Sequence, residues 1–181
     1  MPITSGRLML RLNCMNEKLE PFHLSIEQTR DYDIERVVAL EIESGLSSRG
    51  VERYKKSLED PAEILLVAIL SNFEEFKRKV IGMFSAKLVV DELHIDNIAV
   101  DEIWRGRGVA AEMLLEGLRL GYQLGARIAE LEVRSANTRA RSLYEHRGFV
   151  VAGERPAYYH DPLDDALIMV SDIEQSITRA Q

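Results

Sequence analysis

Residues 98–110 read Ile98-Ala99-Val100-Asp101-Glu102-Ile103-Trp104-Arg105-Gly106-Arg107-Gly108-Val109-Ala110, and the reading of this stretch decides the fold. A strand runs into a glycine-rich turn that opens a helix, with two arginines set among the glycines. The first N–H groups of a helix have no intrahelical partners and carry about half a unit of positive charge, which suits a phosphate or pyrophosphate. Glycine lets the backbone approach such a ligand closely. Two phosphate-binding patterns fail here: no lysine followed by a hydroxyl completes a Walker A loop, and Ala111 stands where the dinucleotide fingerprint needs its third glycine. A tight turn carrying solvated arginines is the alternative reading.

Downstream, Ala110, Met113, Leu114, Gly117, Leu118, Gly121 and Leu124 mark one face of a helix that Gly125 can end, and residues 126–135 return as a strand. Asn137 is a good N-cap for a short helix carrying Ala140, Leu143 and Tyr144 on one side and stopped by Gly148. Phe149 to Glu154 and Ala166 to Asp172 read as closing strands, with Tyr158 and Tyr159 on the loop between them. Upstream, residues 63–70, 80–90 and 92–100 are strand-like with short connections, which favours an antiparallel meander. Residues 23–29 alternate like a first strand. Asp31 or Asp33 can cap a helix with Ile34, Val37, Val38 and Ile42 at helical spacing, and a second helix over Val51 to Leu58 ends before Pro61. The sum is a mixed α/β sheet with helices on both faces.

The chain has 181 residues, 46% of them hydrophobic, which is one domain able to bury a core without staples. Residues 21–181 are expected to form it, with residues 1–20 as an N-terminal extension of unknown role. Cys14 is alone, so no disulfide, zinc site or redox pair is expected, and a reducing, cytoplasmic setting fits. The longest apolar run, Ile64 to Leu70, falls far short of the roughly 20 residues that span a bilayer. Arg7 and Arg11 interrupt the N-terminal apolar stretch, unlike a signal peptide. A net charge of −7 argues against nucleic acid and suits cationic substrates. That balance is uneven, because residues 105–147 hold eight arginines against five glutamates. A basic island around the glycine-rich turn fits a phosphorylated ligand.

The second informative segment runs Leu131-Glu132-Val133-Arg134-Ser135-Ala136-Asn137-Thr138-Arg139-Ala140-Arg141-Ser142-Leu143-Tyr144-Glu145-His146-Arg147-Gly148-Phe149. Strand alternation puts Glu132 on the face shared with Glu130 and Arg134, so a salt bridge to Arg134 or another arginine is one reading of it. A half-buried core residue is the corresponding reading of Tyr144. R-G-R-G-V-A after a strand, followed by N-x-x-A-x-x-L-Y-x-x-x-G-F, resembles the GNAT superfamily of acyl-CoA-dependent N-acetyltransferases. D-N-I-A-V-D, L-E-V-R-S-A-N, R-P-A-Y-Y and D-D-A-L-I-M resemble its RimI branch, which acetylates protein N-terminal amines; the likeness covers roughly residues 22–171.

The resemblance implies a single GNAT-type domain whose mostly antiparallel sheet, flanked by helices, is splayed at the acyl-CoA site. By it, Gly106, Gly108, Val109, Ala110 and Ala111 hold the coenzyme A pyrophosphate, and Arg105 and Arg107 add charge at its edge. The backbone of Ile98, Ala99 and Val100 pairs with the pantetheine arm, and Asn137 contacts that arm from the other side; a plain helix cap is compatible with this. Glu132 matches the general base and Tyr144 the general acid, and the Val100 N–H is the candidate oxyanion donor. Tyr158 and Tyr159 resemble a tyrosine pair that holds the substrate peptide.

Acetyl-CoA is the cofactor implied, with no metal; His23, His94, His146 and His160 have no ligand spacing among themselves. The family's proline- and tryptophan-containing loop is replaced by Glu43-Ser44-Gly45-Leu46-Ser47-Ser48-Arg49-Gly50, which leaves the acceptor open. A peptide or protein N-terminus leads. A small amine such as a polyamine, amino acid or aminoglycoside follows, and an acyl-CoA-binding module without turnover is third. No nucleic acid and no membrane partner is expected.

Overall fold

The computed structural model describes residues 23–72 and 77–179, so the expected N-terminal extension, with Cys14, lies outside the described residues. Along the chain run β1 (His23–Gln28), α1 (Ile34–Glu43), α2 (Val51–Glu59), β2 (Glu63–Asn72), β3 (Lys77–Val89), β4 (Glu92–Val100), α3 (Val109–Gln123), β5 (Ile128–Arg134), α4 (Thr138–His146), β6 (Val150–His160), β7 (Leu163–Asp172) and α5 (Ile173–Thr178). The strands follow the order β1-β2-β3-β4-β5-β7-β6. β1 pairs antiparallel with β2, β4 parallel with β5, and β7 antiparallel with both β5 and β6. The mixed, mostly antiparallel α/β sheet expected from the sequence is present. The chain divides into two compact units: one holds residues 65–84 and 97–113 with everything described up to and including Pro61, the other residues 62–64, 85–96 and 114 onward.

In the first unit, Ile34, Val37 and Leu40 of α1 pack with Tyr54 of α2, Leu65, Val67 and Ile69 of β2, Val80 and Met83 of β3 and Ala99 of β4. Ile42, expected on the inward stripe, is 63% exposed, whereas Glu41 is completely buried. At about 100° per residue, Glu41 lies within about 20° of Ile34 around the helix and Ile42 about 80° away, so geometry overrides polarity. Asp33 sits at the α1 start but makes no side-chain cap bond. Its carboxylate is drawn instead to Arg78, whose Nη2 donates to it at 3.0 Å. Gly82 of β3 lets α3 come close, because a Cβ there would fall 2.8 Å from the Met113 Cε.

In the second unit, β5 buries Ala129, Leu131 and Val133 and turns Glu130, Glu132 and Arg134 to the opposite face, as alternation requires. β3 and β4 are joined by a two-residue turn, Val90-Asp91, in which Val90 adopts φ 60° and is 90% exposed. The sequence places Tyr158 and Tyr159 on a loop, but both lie within β6. β6 is long and irregular: three of its residues, Pro156, Ala157 and Tyr158, face the single β7 residue Asp165. This bulge holds Ala157 at φ 53° and is pinned by the Ala157 N–H donating to Asp165 Oδ1 at 2.7 Å. α5, a six-residue helix that follows β7 directly, has no counterpart in the sequence reading.

Candidate active site

Glu132 projects from β5 in register with Ile168 of β7, while Arg134 of β5 and Arg155 of β6 flank Ala166 of β7 on the next row of the same face. Alanine leaves that row low, and the long Arg155 side chain reaches Glu132, Nη1 to Oε1 at 2.8 Å. The ion pair expected of Glu132 therefore exists, but its partner is Arg155 and not Arg134. Arg134 is committed elsewhere: its Nη1 donates to the Pro162 carbonyl and its Nη2 to the Asp161 carbonyl, both at 2.9 Å. Its guanidinium also lies 4.0 Å from the Tyr159 ring centroid.

Tyr158 and Tyr159 meet edge to face at 5.1 Å, and the Arg155 guanidinium stands 5.5 Å from the Tyr158 ring centroid. Arg155, Tyr158, Tyr159 and Arg134 thus form one run of ring and guanidinium contacts beside Glu132. Burial, followed by the neighbouring Glu132 carboxylate, pushes the Tyr159 hydroxyl pKa up.

Tyr144 comes from α4, whose start is fixed by Asn137: its Oδ1 accepts from the Ala140 N–H at 3.1 Å. The cap reading of Asn137 is thereby realised. α4 ends at Gly148, φ 88°, where the Phe149 N–H bonds back to the Tyr144 carbonyl and the two rings pack at 5.8 Å. Tyr144 is 9% exposed. Burial, with a smaller contribution from Tyr159, pushes its hydroxyl up to about 12. A phenol in that state keeps its proton throughout the physiological range.

In the first unit, Ile98, Ala99 and Val100 end β4, and a 3-10 turn over Glu102–Trp104 leads to the glycines. Gly106 and Gly108 both take left-handed conformations, φ 77° and 84°, and a Cβ on Gly108 would meet nothing within 4 Å. The turn is therefore bare on that side, and the N–H groups of Val109, Ala110 and Ala111 open α3 beyond it. Arg105 braces the turn from beneath, its Nε donating to the Val100 carbonyl at 2.8 Å and its Nη2 to Ser44 Oγ at 3.2 Å. Arg107 lies 5.3 Å from the Trp104 ring centroid.

Three residues escape sequence reasoning. Glu41 accepts from Tyr54 Oη at 2.5 Å, Asn97 Nδ2 at 2.8 Å and the Arg49 N–H at 3.2 Å, tying α1 to α2, to the 44–50 loop and to β4 just before Ile98. Arg155 and Asp165 are the others. Arg155 carries a faint signal, opening the R-P-A-Y-Y run three positions before Tyr158. Among the described residues, no group of His, Cys, Asp or Glu is arranged to hold a metal ion, and no helix is long and apolar enough to cross a membrane.

Comparison with known proteins gives consistent likenesses. The Acetyltransferase (GNAT) family matches over residues 27–149. A Bacillus subtilis (strain 168) protein provisionally named ribosomal protein bS18-alanine N-acetyltransferase is 31% identical over 146 residues, covering 80% of this chain and 93% of that protein. The crystal structure of the ribosomal-protein-S18-alanine N-acetyltransferase of Escherichia coli superimposes with a TM-score of 0.70 at 24% identity, over 83% of this chain and 94% of that one. A Vibrio cholerae spermidine/spermine N-acetyltransferase superimposes with a TM-score of 0.72 at 19% identity, over 87% and 98%.

Proposed function

Since the chain belongs to the Acetyltransferase (GNAT) family and is an acetyl-CoA-dependent N-acetyltransferase, we propose that its acceptor is the α-amino group of a protein N-terminus. The observation that carries this reading is the Glu132 carboxylate beside an edge-to-face tyrosine pair on β6, with Tyr144 held protonated by burial. A carboxylate suits an ammonium, and the two aromatic rings suit the first residues of a peptide. The name of the Bacillus subtilis relative supports the same acceptor class. A small cationic amine is the second reading, favoured by the 43–50 stretch, which lacks the proline and tryptophan of the RimI pattern.

Acetyl-CoA, when bound, supplies an acetyl group activated as a thioester. The bare left-handed turn at Gly106 and Gly108 and the first N–H groups of α3 fit its pyrophosphate, with Val109, Ala110 and Ala111 as donors and the Arg107 guanidinium nearby. Arg105 serves the site by bracing the turn against Val100. Ile98, Ala99 and Val100 are the strand end available to an extended arm, and Asn137 is placed at the α4 cap.

An α-ammonium has an unperturbed pKa of about 8, so most of it arrives protonated at neutral pH. Glu132 Oε1 takes that proton, directly or through a water, and frees the nucleophile. Tyr144 Oη, still protonated far above neutral pH, holds the proton that a leaving thiolate requires. The Val100 N–H is the proposed donor to the developing oxyanion. Residues 21–181 make up the proposed catalytic domain.

The test is thiol release from acetyl-CoA with a panel of free-amine peptides and small amines, comparing Glu132→Gln and Tyr144→Phe with the native chain. A fall of about 10² to 10⁴ in kcat with the best acceptor is expected of each. Unchanged rates would overturn the two roles.

A further inference from the structure

We propose that Arg155 is a latch on Glu132: its guanidinium holds the carboxylate in place of an acceptor's ammonium, and swings away when a cationic acceptor arrives. The inference rests on the reading of Glu132 as the general base.

Four observations support it. The Arg155 Nη1 to Glu132 Oε1 distance, 2.8 Å, is that of a direct ion pair, the contact an incoming ammonium would also make. The pair is open to water, with side chains 51% and 27% exposed. A pair of that kind is worth about a factor of two to five in an equilibrium, strong enough to occupy the carboxylate and weak enough to be displaced.

A second resting place already exists, because the guanidinium lies 5.5 Å from the Tyr158 ring centroid and can keep that cation–π contact after leaving Glu132. The fourth observation is the contrast across Ala166. Arg134, on the other side of the same row, is fixed by two carbonyls and the Tyr159 ring, whereas the described partners of Arg155 are Glu132 and Tyr158. One arginine therefore holds the β6–β7 hairpin, while the other is 51% exposed and held by an ion pair and a ring contact.

The latch acts on acceptor affinity. A cationic amine can compete with the guanidinium for Glu132, whereas a neutral arylamine brings no charge with which to displace it. The pair therefore lowers the apparent affinity of the cationic acceptor alone. Arg155 is a positioning residue, since it acts through Glu132.

Steady-state kinetics with an alanine-initiated hexapeptide bearing a free α-amine, at saturating acetyl-CoA, test the latch. Arg155→Gln is expected to lower the peptide KM about two- to fivefold with kcat within about twofold, and to leave the KM of p-toluidine unchanged. Arg155→Lys, which restores a cation, is expected to return KM toward the native value. A KM that rises or stays unchanged in Arg155→Gln, or a tenfold loss of kcat, overturns the latch and makes Arg155 a fixed brace for Glu132. Glu132→Gln separates the two ideas: lost turnover there with unchanged KM in Arg155→Gln overturns the latch alone. Unchanged turnover in Glu132→Gln overturns the base and the latch together.

Discussion

Tyr54 donates its hydroxyl to the carboxylate of Glu41 at 2.5 Å, and both side chains are completely buried. Thirteen residues apart on α1 and α2, they form the polar centre of an otherwise apolar cluster, and Asn97 joins them from β4. Glu41→Ala would remove the acceptor of the buried Tyr54 hydroxyl and of the half-buried Asn97 amide. A loss of about 3–5 kcal/mol is expected by chemical denaturation, against about 1–2 kcal/mol for Glu41→Gln, which keeps an acceptor oxygen. Because Asn97 adjoins Ile98, weaker acetyl-CoA binding should accompany the alanine variant.

Tyr144 links stability to alkaline pH. Its hydroxyl titrates near 10 when unfolded and near 12 in the fold. The folded-state pKa is the higher, so this group's contribution is complete below pH 10 and is lost as pH rises toward 12. A difference of that size between the folded and unfolded chain corresponds to about 3 kcal/mol. Denaturant midpoints measured from pH 9 to 12 should therefore fall more steeply in the native chain than in Tyr144→Phe. Parallel curves would contradict the buried, protonated tyrosine.

At Gly108 the backbone conformation and the proposed pyrophosphate contact coincide. Gly108→Asp places a side chain and a negative charge in the open space beside the α3 start, in a left-handed conformation that costs an ordinary residue about 1–2 kcal/mol. Calorimetry with acetyl-CoA should show clear loss of affinity, at least tenfold, while a peptide acceptor's KM changes little. Retained affinity would remove the turn from the cofactor site.

Val90, a β-branched residue at φ 60° in the β3–β4 turn, is strained and nearly fully exposed. Asparagine tolerates that conformation and suits a two-residue hairpin. Val90→Asn should stabilise the protein by about 1 kcal/mol and raise Tm by about 2–4 °C, measured by calorimetry.

The sequence is most legible where structure is set locally. The Asn137 cap, the stops at Gly125 and Gly148 and the alternation that turns Glu132 away from Leu131 and Val133 depend on residues within a turn or a strand of one another. Tyr158 and Tyr159 fall on a loop in the sequence reading for a tertiary reason. Pro156 and a run of exposed residues make β6 look like loop, and only its pairing with β7, with three residues bulged against Asp165, keeps it a strand. Glu41 is invisible because a glutamate between Leu40 and Ile42 reads as solvent-facing until Tyr54 and Asn97, 13 and 56 residues away, are brought to it. Arg155 pairs with Glu132 across a strand that follows both in sequence, so no spacing could announce it.

The central claim is acetyl transfer to an α-amine, and its most direct test is a matched pair of peptides. One short sequence is offered with its N-terminus free and again with that amine formylated, beside spermidine, while thiol release from acetyl-CoA is followed. Turnover of the free peptide, none with the formylated one and little with spermidine is the expected result. Equal rates on the two peptides, or turnover with spermidine alone, would contradict it.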